Sequence, residues 1–182
     1  MVDTESGRCG DIVGNLLAFS RSTPVNFADE DLAPILDRCA LLLRHQAELL
    51  GISLSFATAP GLPRIRCDAA QIEQVILALA MNALEATPSG GRVTVAARAD
   101  EGEPGVVIEV SDTGCGIAEE VRERMFEPYF TTKAAGKGVG LGLAVVYGIV
   151  TRHRGRIDVD STVGAGTTFT VRLPLQPPEG EP

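Results

Sequence analysis

Apolar and polar positions along the chain follow two periods, and the points where one gives way to the other divide it into elements. Over 8–20, Ile12, Val13, Leu16, Leu17 and Phe19 suit one face of a helix, weakened by Gly10 and Gly14. A polar helix start at 26–30 precedes Leu32, Ile35, Leu36, Cys39, Leu42 and Leu43, and Gly51 supplies the stop. Residues 52–56 alternate like a strand until Ala59-Pro60-Gly61-Leu62-Pro63 breaks it. From Asp68, a good N-cap, a second helix is predicted to Ala86, with Ile72, Val75, Ile76, Leu79, Ala83 and Leu84 as its buried stripe. Two β-rich runs, 92–98 and 106–111, flank a turn with Gly102, Pro104 and Gly105 and read as a hairpin. A short helix over 118–124 follows. Residues 127–140, rich in Gly, Thr and Lys, predict a mobile loop capping a buried helix over 141–150. Two alternating strands, 156–160 and 167–175, are joined through Gly164-Ala165-Gly166 before a loose tail. Hairpin-linked strands mixed with helices predict an α+β fold, a two-layer sandwich of a mixed, mostly antiparallel sheet with helices on one face.

Composition narrows the function. At 182 residues the chain holds one domain and a short appendage. Its 16 basic and 24 acidic residues give a net charge of -8, which repels phosphate backbones and anionic membranes, so neither nucleic-acid binding nor direct membrane contact is expected. Aromatics are 4% with no Trp, a poor basis for base stacking or an interfacial belt. No apolar run is long enough to cross a bilayer, and the first residues are acidic, unlike a signal peptide. Cys9, Cys39, Cys67 and Cys115 are scattered without metal or disulfide spacing, so reduced thiols in a cytoplasmic protein are expected. His45 and His153 are too far apart in sequence to suggest a metal cluster, and read as surface or structural residues.

Three segments carry chemistry. On the helix from Asp68, the residues Gln71, Gln74, Ala78, Asn82 and Glu85 share one sector beside the apolar stripe. The amide oxygen of Asn82 suits Mg²⁺, although an Asn there also fits a hydrogen-bonded core edge. Asp112-Thr113-Gly114-Cys115-Gly116-Ile117 follows a buried strand, placing a carboxylate that accepts from an amino group beside glycines that let a ligand ring approach; an ordinary Asp turn has the same signature. Gly136-Lys137-Gly138-Val139-Gly140-Leu141-Gly142-Leu143 runs into a helix N-terminus, where free N–H groups favour a polyphosphate. Its spacing is neither the Walker pattern nor a dinucleotide fingerprint. Lys133 and Lys137 add local positive charge or are solvated loop lysines, and the aromatic cluster at Phe126, Tyr129 and Phe130 fits either a lid clamp or a core-edge plug.

In this order the segments resemble the catalytic, ATP-binding domain of two-component sensor histidine kinases, in the superfamily that also holds gyrase, Hsp90 and MutL ATPases. The likeness covers about 26–175. Asn82-Ala83-Leu84-Glu85-Ala86 is similar to the N box, 112–117 to the first glycine box, 126–133 to the F box, 137–143 to the second glycine box and 164–169 to the third. The run from Phe126 to Lys133 and that from Gly140 to Val150 look most like the nitrogen-regulation subgroup. The resemblance implies a Bergerat-type fold binding ATP and Mg²⁺. Asp112 would bind the adenine amino group within a loop that includes Gly114, Gly116 and Ile117. Thr167 would complete the adenine side, and Asn82 would hold Mg²⁺. Gly138, Gly140 and Leu141, with Val139 and Gly142 in the same box, would meet the phosphates, and Lys133 and Lys137 would lie in a lid over ATP. Asn82, Lys133 and Lys137 are the residues it assigns to catalysis.

Two departures qualify the likeness. Ala78 stands where the family N box usually has a second Asn and where hydrolysing relatives carry a Glu, which argues for transfer to a side chain over hydrolysis. The phosphoacceptor motif, His-Glu/Asp followed by Asn/Thr-Pro, is missing. The resemblance therefore implies the C-terminal piece of a longer kinase: 1–25 as the end of the dimerising hairpin and linker, 26–175 as the catalytic domain, and 176–182 as a tail. Its expected partners are that hairpin and a response regulator, with the fragment monomeric or weakly dimeric. A degenerate nucleotide-binding interaction module without kinase activity is the alternative that Ala78 motivates.

Overall fold

Apolar side chains alternate along four of the strands so that neighbouring strands stack them in rows, and these rows form the floor of the core. A computed structural model describes residues 25–132 and 139–176; the predicted helix over 8–20 and most of the expected 1–25 segment lie outside them. The elements are β1 (Ala28–Glu30), α1 (Leu32–Leu50), β2 (Ser53–Thr58), β3 (Ile65–Cys67), α2 (Ala69–Ala86), β4 (Arg92–Ala99), β5 (Gly105–Asp112), α3 (Glu119–Arg122), α4 (Gly142–Arg152), β6 (Arg156–Thr162) and β7 (Gly166–Pro174). A five-stranded sheet runs in the order β2-β4-β5-β7-β6, antiparallel except for the parallel pair β2–β4, and β1 pairs with β3 in a separate two-stranded ribbon. The class is α+β, as the pattern predicts.

The register builds the core face. Phe56, Val95, Val110, Phe169 and Val159 lie side by side across all five strands, and Ala97, Ile108, Val171 and Ile157 form the next row. Leu79, Ile76 and Val75 of α2 are fully buried in the same cluster, each such side chain stabilising the fold by about 1.5–3 kcal/mol. The opposite face carries Thr94, Ser111 and Thr168, with a hydroxyl contact of 2.7 Å between the last two. Helices α1 and α4 pack on α2, which in turn packs on β4 and β5, so the helical layer covers one face.

Caps fix where the helices begin. Asp31 accepts from the Ala33 N–H at 2.9 Å, and Gly51, at φ 66°, closes the far end of α1 by donating to the Ala47 and Glu48 carbonyls. The helix start expected at 26–30 is therefore corrected: the chain there pairs as β1, Ala28 against Cys67, and Asp31 is the cap. Strand β3 is too short to register as a period. The helix expected to be buried over 141–150 is only partly so: Val146, Ile149 and Val150 face the core, while Tyr147 is exposed. Asp68 caps α2 as predicted, accepting from Gln71 N–H at 3.1 Å, and its own N–H donates to His153 Nε2 at 3.1 Å. His153 is a structural residue: its Nδ1 meets the Ile149 carbonyl at 2.9 Å and its ring lies 4.9 Å from that of Phe27. Burial pushes the thiols of Cys39 and Cys67 up to about 12, which leaves both inert. No helix among the described residues is long and apolar enough to cross a membrane.

Candidate functional site

At one end of the sheet the apolar rows stop and a polar row takes their place. Asp112 ends β5 opposite Val93 on one side and Thr167 on the other, and Thr167 lies opposite Ser161 of β6. All four side chains follow the alternation of the apolar residues two positions before or after them, so they point to the core face. Asp112 and Thr167 are buried. The carboxylate is held by the backbone: Oδ1 accepts from Gly114 N–H at 2.8 Å and from Thr167 N–H at 3.3 Å. Both bonds fall on one oxygen, which leaves Oδ2 for a further donor. Burial is the larger influence on this group and raises its pKa, with the two backbone donors pulling the other way.

The loop after Asp112 is stitched to three neighbours. Thr113 N–H donates to the Arg92 carbonyl at 3.1 Å, Cys115 N–H to the Ala86 carbonyl at 3.1 Å, and Ile117 N–H to Ser161 Oγ at 2.8 Å. The expectation that its glycines make room for a ligand ring is corrected here. A Cβ on Gly114 would stand 2.5 Å from the Ala86 carbonyl oxygen, and one on Gly116, at φ 69°, would collide with the Thr162 carbonyl. The space is filled by protein backbone, so these glycines let the end of α2 and the β6–β7 turn close on the loop. Cys115, between them, is exposed.

Asn82 lies one helical turn before Ala86 on α2 and is half-buried and engaged in contacts, beside half-buried Ala78 and exposed Glu85. An amide oxygen is the kind of ligand that Mg²⁺ takes. No group of three or more His, Cys, Asp or Glu among the described residues is placed to hold a metal unaided.

Helix α4 begins without a side-chain cap and without an acid in its first turn. Val145 N–H makes the first bond back, to the Leu141 carbonyl at 2.9 Å, so the N–H groups of Gly142, Leu143 and Ala144 have no acceptor within the helix. Gly140, at φ 71°, packs against the backbone of Tyr129 and Phe130, and its carbonyl accepts from Tyr129 N–H at 2.9 Å. That bond ties together the two feet of the segment between them. Of the predicted phosphate and lid residues, Val139, Gly140, Leu141 and Gly142 lie at these feet, whereas Lys133, Lys137 and Gly138 fall outside the described residues. The aromatic cluster anchors the near foot: the Phe126 ring lies tilted against that of Tyr147 of α4, centroids 5.4 Å apart, and Arg124 sits 4.6 Å above the Phe130 ring.

The fold thus brings Asp112, Gly114, Gly116, Ile117 and Thr167 into one cluster at the sheet end, with Asn82 on the adjoining helix. Ser161 belongs to that cluster and was not singled out in the sequence. The strand read over 156–160 stops just short of it, and only the β6–β7 register sets it opposite Thr167.

Residues 67–177 match the family described as histidine kinase-, DNA gyrase B-, and HSP90-like ATPase. The chain is similar to the sensor kinase CckA of Brucella abortus (strain 2308), 41% identical over 95% of this chain and 20% of the relative, and to the sensor histidine kinase ZraS of Escherichia coli (strain K12), 39% identical over 94% and 36%. It spans only a fifth to about a third of the length of these relatives. Among solved structures it resembles the catalytic domain of the histidine kinase ThkA, with a TM-score of 0.74 and 29% identity over 84% of this chain and 97% of that one. It also resembles full-length ShkA in complex with AMPPNP, with a TM-score of 0.82 and 32% identity over 93% and 36%. A third likeness is to ThkA in complex with the response regulator protein TrrA, with a TM-score of 0.78 and 26% identity over 97% and 50%.

Proposed function

We infer the function from one premise: the chain belongs to the histidine kinase-, DNA gyrase B- and HSP90-like ATPase family. We propose that it is the ATP-binding catalytic domain of a sensor histidine kinase, which transfers the γ-phosphoryl group of Mg-ATP to a His on a dimerising hairpin of the same kinase, for onward signalling through a response regulator. The observation that carries this reading is the Asp112 carboxylate, buried, fixed by two backbone donors and keeping one oxygen for a ligand amino group. Nucleotide in the AMPPNP complex of ShkA and the response regulator bound to ThkA support the ligand and partner classes. The likeness to the nitrogen-regulation subgroup is a finer placement within the same proposal. The relatives being named kinases favours it over a degenerate interaction module.

In this reading Asp112 and Thr167 hold the adenine edge, and Gly114, Gly116 and Ile117 keep that loop closed. Val139, Gly140, Leu141 and Gly142 bring the α4 N-terminus to the phosphates, where its free N–H groups and dipole offset their charge. Gly138 would join them at the phosphates through its backbone, and Lys133 and Lys137 would bring positive charge to the phosphates and, as part of a lid, exclude water. Asn82 would hold Mg²⁺, which when bound neutralises charge on the phosphate oxygens. The protein's part is positioning and electrostatic stabilisation. The imidazole nitrogen bonds to the γ-phosphorus as the bond to the β–γ bridging oxygen breaks, leaving ADP and a phosphohistidine. Ala78, with no base to offer to water, fits transfer better than hydrolysis.

Calorimetric titration with ADP and a non-hydrolysable ATP analogue, followed by incubation with γ-labelled ATP and a separately supplied hairpin, tests the proposal. Saturable binding and label on the hairpin alone are expected. Label on His45 or His153 of this chain would sink it.

A further inference from the structure

We propose that His153 is a proton-gated latch on the entry of the chain: in its neutral form the ring joins Asn26 and Phe27 to the N-cap of α2 and the last turn of α4, and protonation releases that entry while the core stays folded. The latch goes beyond the nucleotide reading and belongs to the other end of the helices that serve the site.

Three contacts meet at the ring. Nδ1 lies 2.9 Å from the Ile149 carbonyl oxygen, Nε2 lies 3.1 Å from the Asp68 nitrogen, and the Phe27 ring stands 4.9 Å away. A carbonyl only accepts and a backbone N–H only donates, so the ring must carry its proton on Nδ1 and a lone pair on Nε2. The neutral Nδ1–H tautomer alone meets both. An imidazolium sets an Nε2–H against the Asp68 N–H, two donors face to face, at a residue that is 2% exposed. The relief open to it is the Asp68 carboxylate, and both oxygens there are in use. Oδ1 holds Gln71 N–H at 3.1 Å in the first turn of α2, and Oδ2 holds Asn26 N–H at 2.9 Å. The first bond is partly buried and caps a helix, whereas the second is exposed, so the bond that yields is the one to Asn26. Beyond it the entry is held by the three-residue strand β1 on β3 and by Arg64 on the Asp29 carbonyl.

The charged groups that act on the ring are Asp68 at the α2 cap and Arg152 of its own helix. Glu30 of β1 and the Cys67 thiol of β3 lie toward Asp68, and burial pushes that thiol up to about 12. Burial is the largest influence on His153 and lowers its pKa below 6.5, with the Ile149 carbonyl and Asp68 pulling the other way. The latch is therefore closed above 6.5 and opens as pH falls through the lower, folded value. Its distance from the site follows from the helices. Helix α2 runs from the Asp68 cap to Ala86, whose carbonyl holds the 112–117 loop, and α4 runs from its free N–H groups to His153. In the kinase proposed above, what precedes Asn26 is the connection to the hairpin. On that reading, opening uncouples the catalytic domain from its phosphoacceptor and leaves the nucleotide in place.

The test is a nuclear magnetic resonance titration of the full chain, from pH 8 downward as far as the fold persists, on wild type, His153→Gln and Phe27→Ala. Ring signals report protonation, with exposed His45 as the reference in the same chain, and backbone order parameters report release. In the wild type the His153 ring is expected as the Nδ1–H tautomer at pH 8 and to titrate below His45. Order at Asn26 and Phe27 should fall from about 0.85 to below about 0.6 with the same midpoint, while Val75 and Leu79 stay rigid. Gln does not titrate, so His153→Gln should keep one value at the entry throughout. Phe27→Ala should loosen the entry already at pH 8, bring the His153 midpoint toward that of His45, and leave ADP affinity within about twofold of wild type. An entry that stays ordered beside a charged His153, or one lost together with Val75 and Leu79, overturns the inference and makes the ring a fold residue only. If His153→Gln does not fold, an unchanged His153 midpoint in Phe27→Ala overturns it as well. Failure of the folded wild-type chain to bind ADP would overturn the nucleotide reading alone, because order at the entry is read without nucleotide.

Discussion

Replacing Asp112 by Asn is expected to move binding and stability in opposite directions. The residue is 9% exposed, and Asn has nearly its shape, so the Oδ1 bonds from Gly114 at 2.8 Å and Thr167 at 3.3 Å survive the exchange. What changes is the charge and the second oxygen, which becomes an NH₂ donor. Burial, the largest influence, raises the carboxyl pKa in the fold above its ordinary value of 3.8. The folded chain therefore binds this proton more tightly than the unfolded chain does. The resulting stabilisation is fully present below the ordinary value and is lost as pH rises through the folded value. At pH 7 the ionised carboxylate is thus a cost to the fold that Asn relieves, and the unfolding midpoint should stay level or rise. Binding behaves otherwise. A hydrogen bond from a ligand amino group to an ionised acceptor is worth about 1.5–3 kcal/mol, so its loss should weaken ADP about 10- to 150-fold, and the new NH₂ faces the ligand's own donors. Calorimetric titration with ADP beside thermal denaturation reads both quantities on one preparation. ADP affinity within about twofold of wild type, or a lower midpoint, would refute the argument and make Asp112 a fold residue first.

Other consequences follow from the same geometry. Asn82→Ala should abolish the Mg²⁺ dependence of ADP binding while leaving Mg²⁺-free binding in place, measured by titration with and without the ion; retained dependence would put the metal elsewhere. Gly116→Ala should lower stability by about 1–3 kcal/mol in urea unfolding, because Ala must adopt φ 69° and meet the Thr162 carbonyl. His153 is buried, and burial lowers its pKa below 6.5, so the unfolded chain takes up this proton first and stability falls as pH drops through 6.5. Thermal unfolding between pH 8 and pH 5 should show that slope, and a His153→Gln variant should flatten it.

The parts of the fold legible in the sequence are those whose signals are local. Helix α2 shows an N-cap and an unbroken stripe, and the structure bounds it at Ala69–Ala86. The β4–β5 hairpin shows two alternating runs about a Gly-Pro turn. The ribbon of β1 and β3 was not legible, because three-residue strands have no period of their own and exist through pairing: Ala28 with Cys67 and Glu30 with Ile65. Polar residues at 26–30 therefore resembled a helix start, and only the Asp31 side chain on Ala33 N–H settles where α1 begins. The parallel partner of β2 was hidden for the same reason, since strand order is a long-range choice. Asp112, Asn82 and the glycine boxes were singled out because their order along the chain is itself the signal, and the structure sets Asp112 and its loop beside Thr167 with Asn82 on the adjoining helix. The reason for the glycines was not, because the backbone that crowds Gly114 and Gly116 comes from α2 and β6.

Register supplies what order alone omits. The core face repeats as rows, and continuing the row of Phe56, Val95, Val110, Phe169 and Val159 by two residues toward the sheet end leads to Leu54, Val93, Asp112, Thr167 and Ser161. The first two keep the apolar rule and the last three break it. Buried polar groups survive only when their hydrogen bonds are met, and here backbone meets them: Gly114 and Thr167 N–H groups for Asp112, Ile117 N–H and the Gly166 carbonyl for Ser161. Those backbone groups are within reach because Gly114, Gly116 and Gly166 carry no Cβ, and at each of them a Cβ would strike a carbonyl of a neighbouring strand or helix. Glycines and polar row are therefore one device. The glycines bring main-chain donors close enough to hold three polar side chains in a position the pattern reserves for Val or Ile, and the holding leaves lone pairs over for something other than the protein. A break in core patterning that the fold satisfies almost, but not wholly, is where a ligand has work to do.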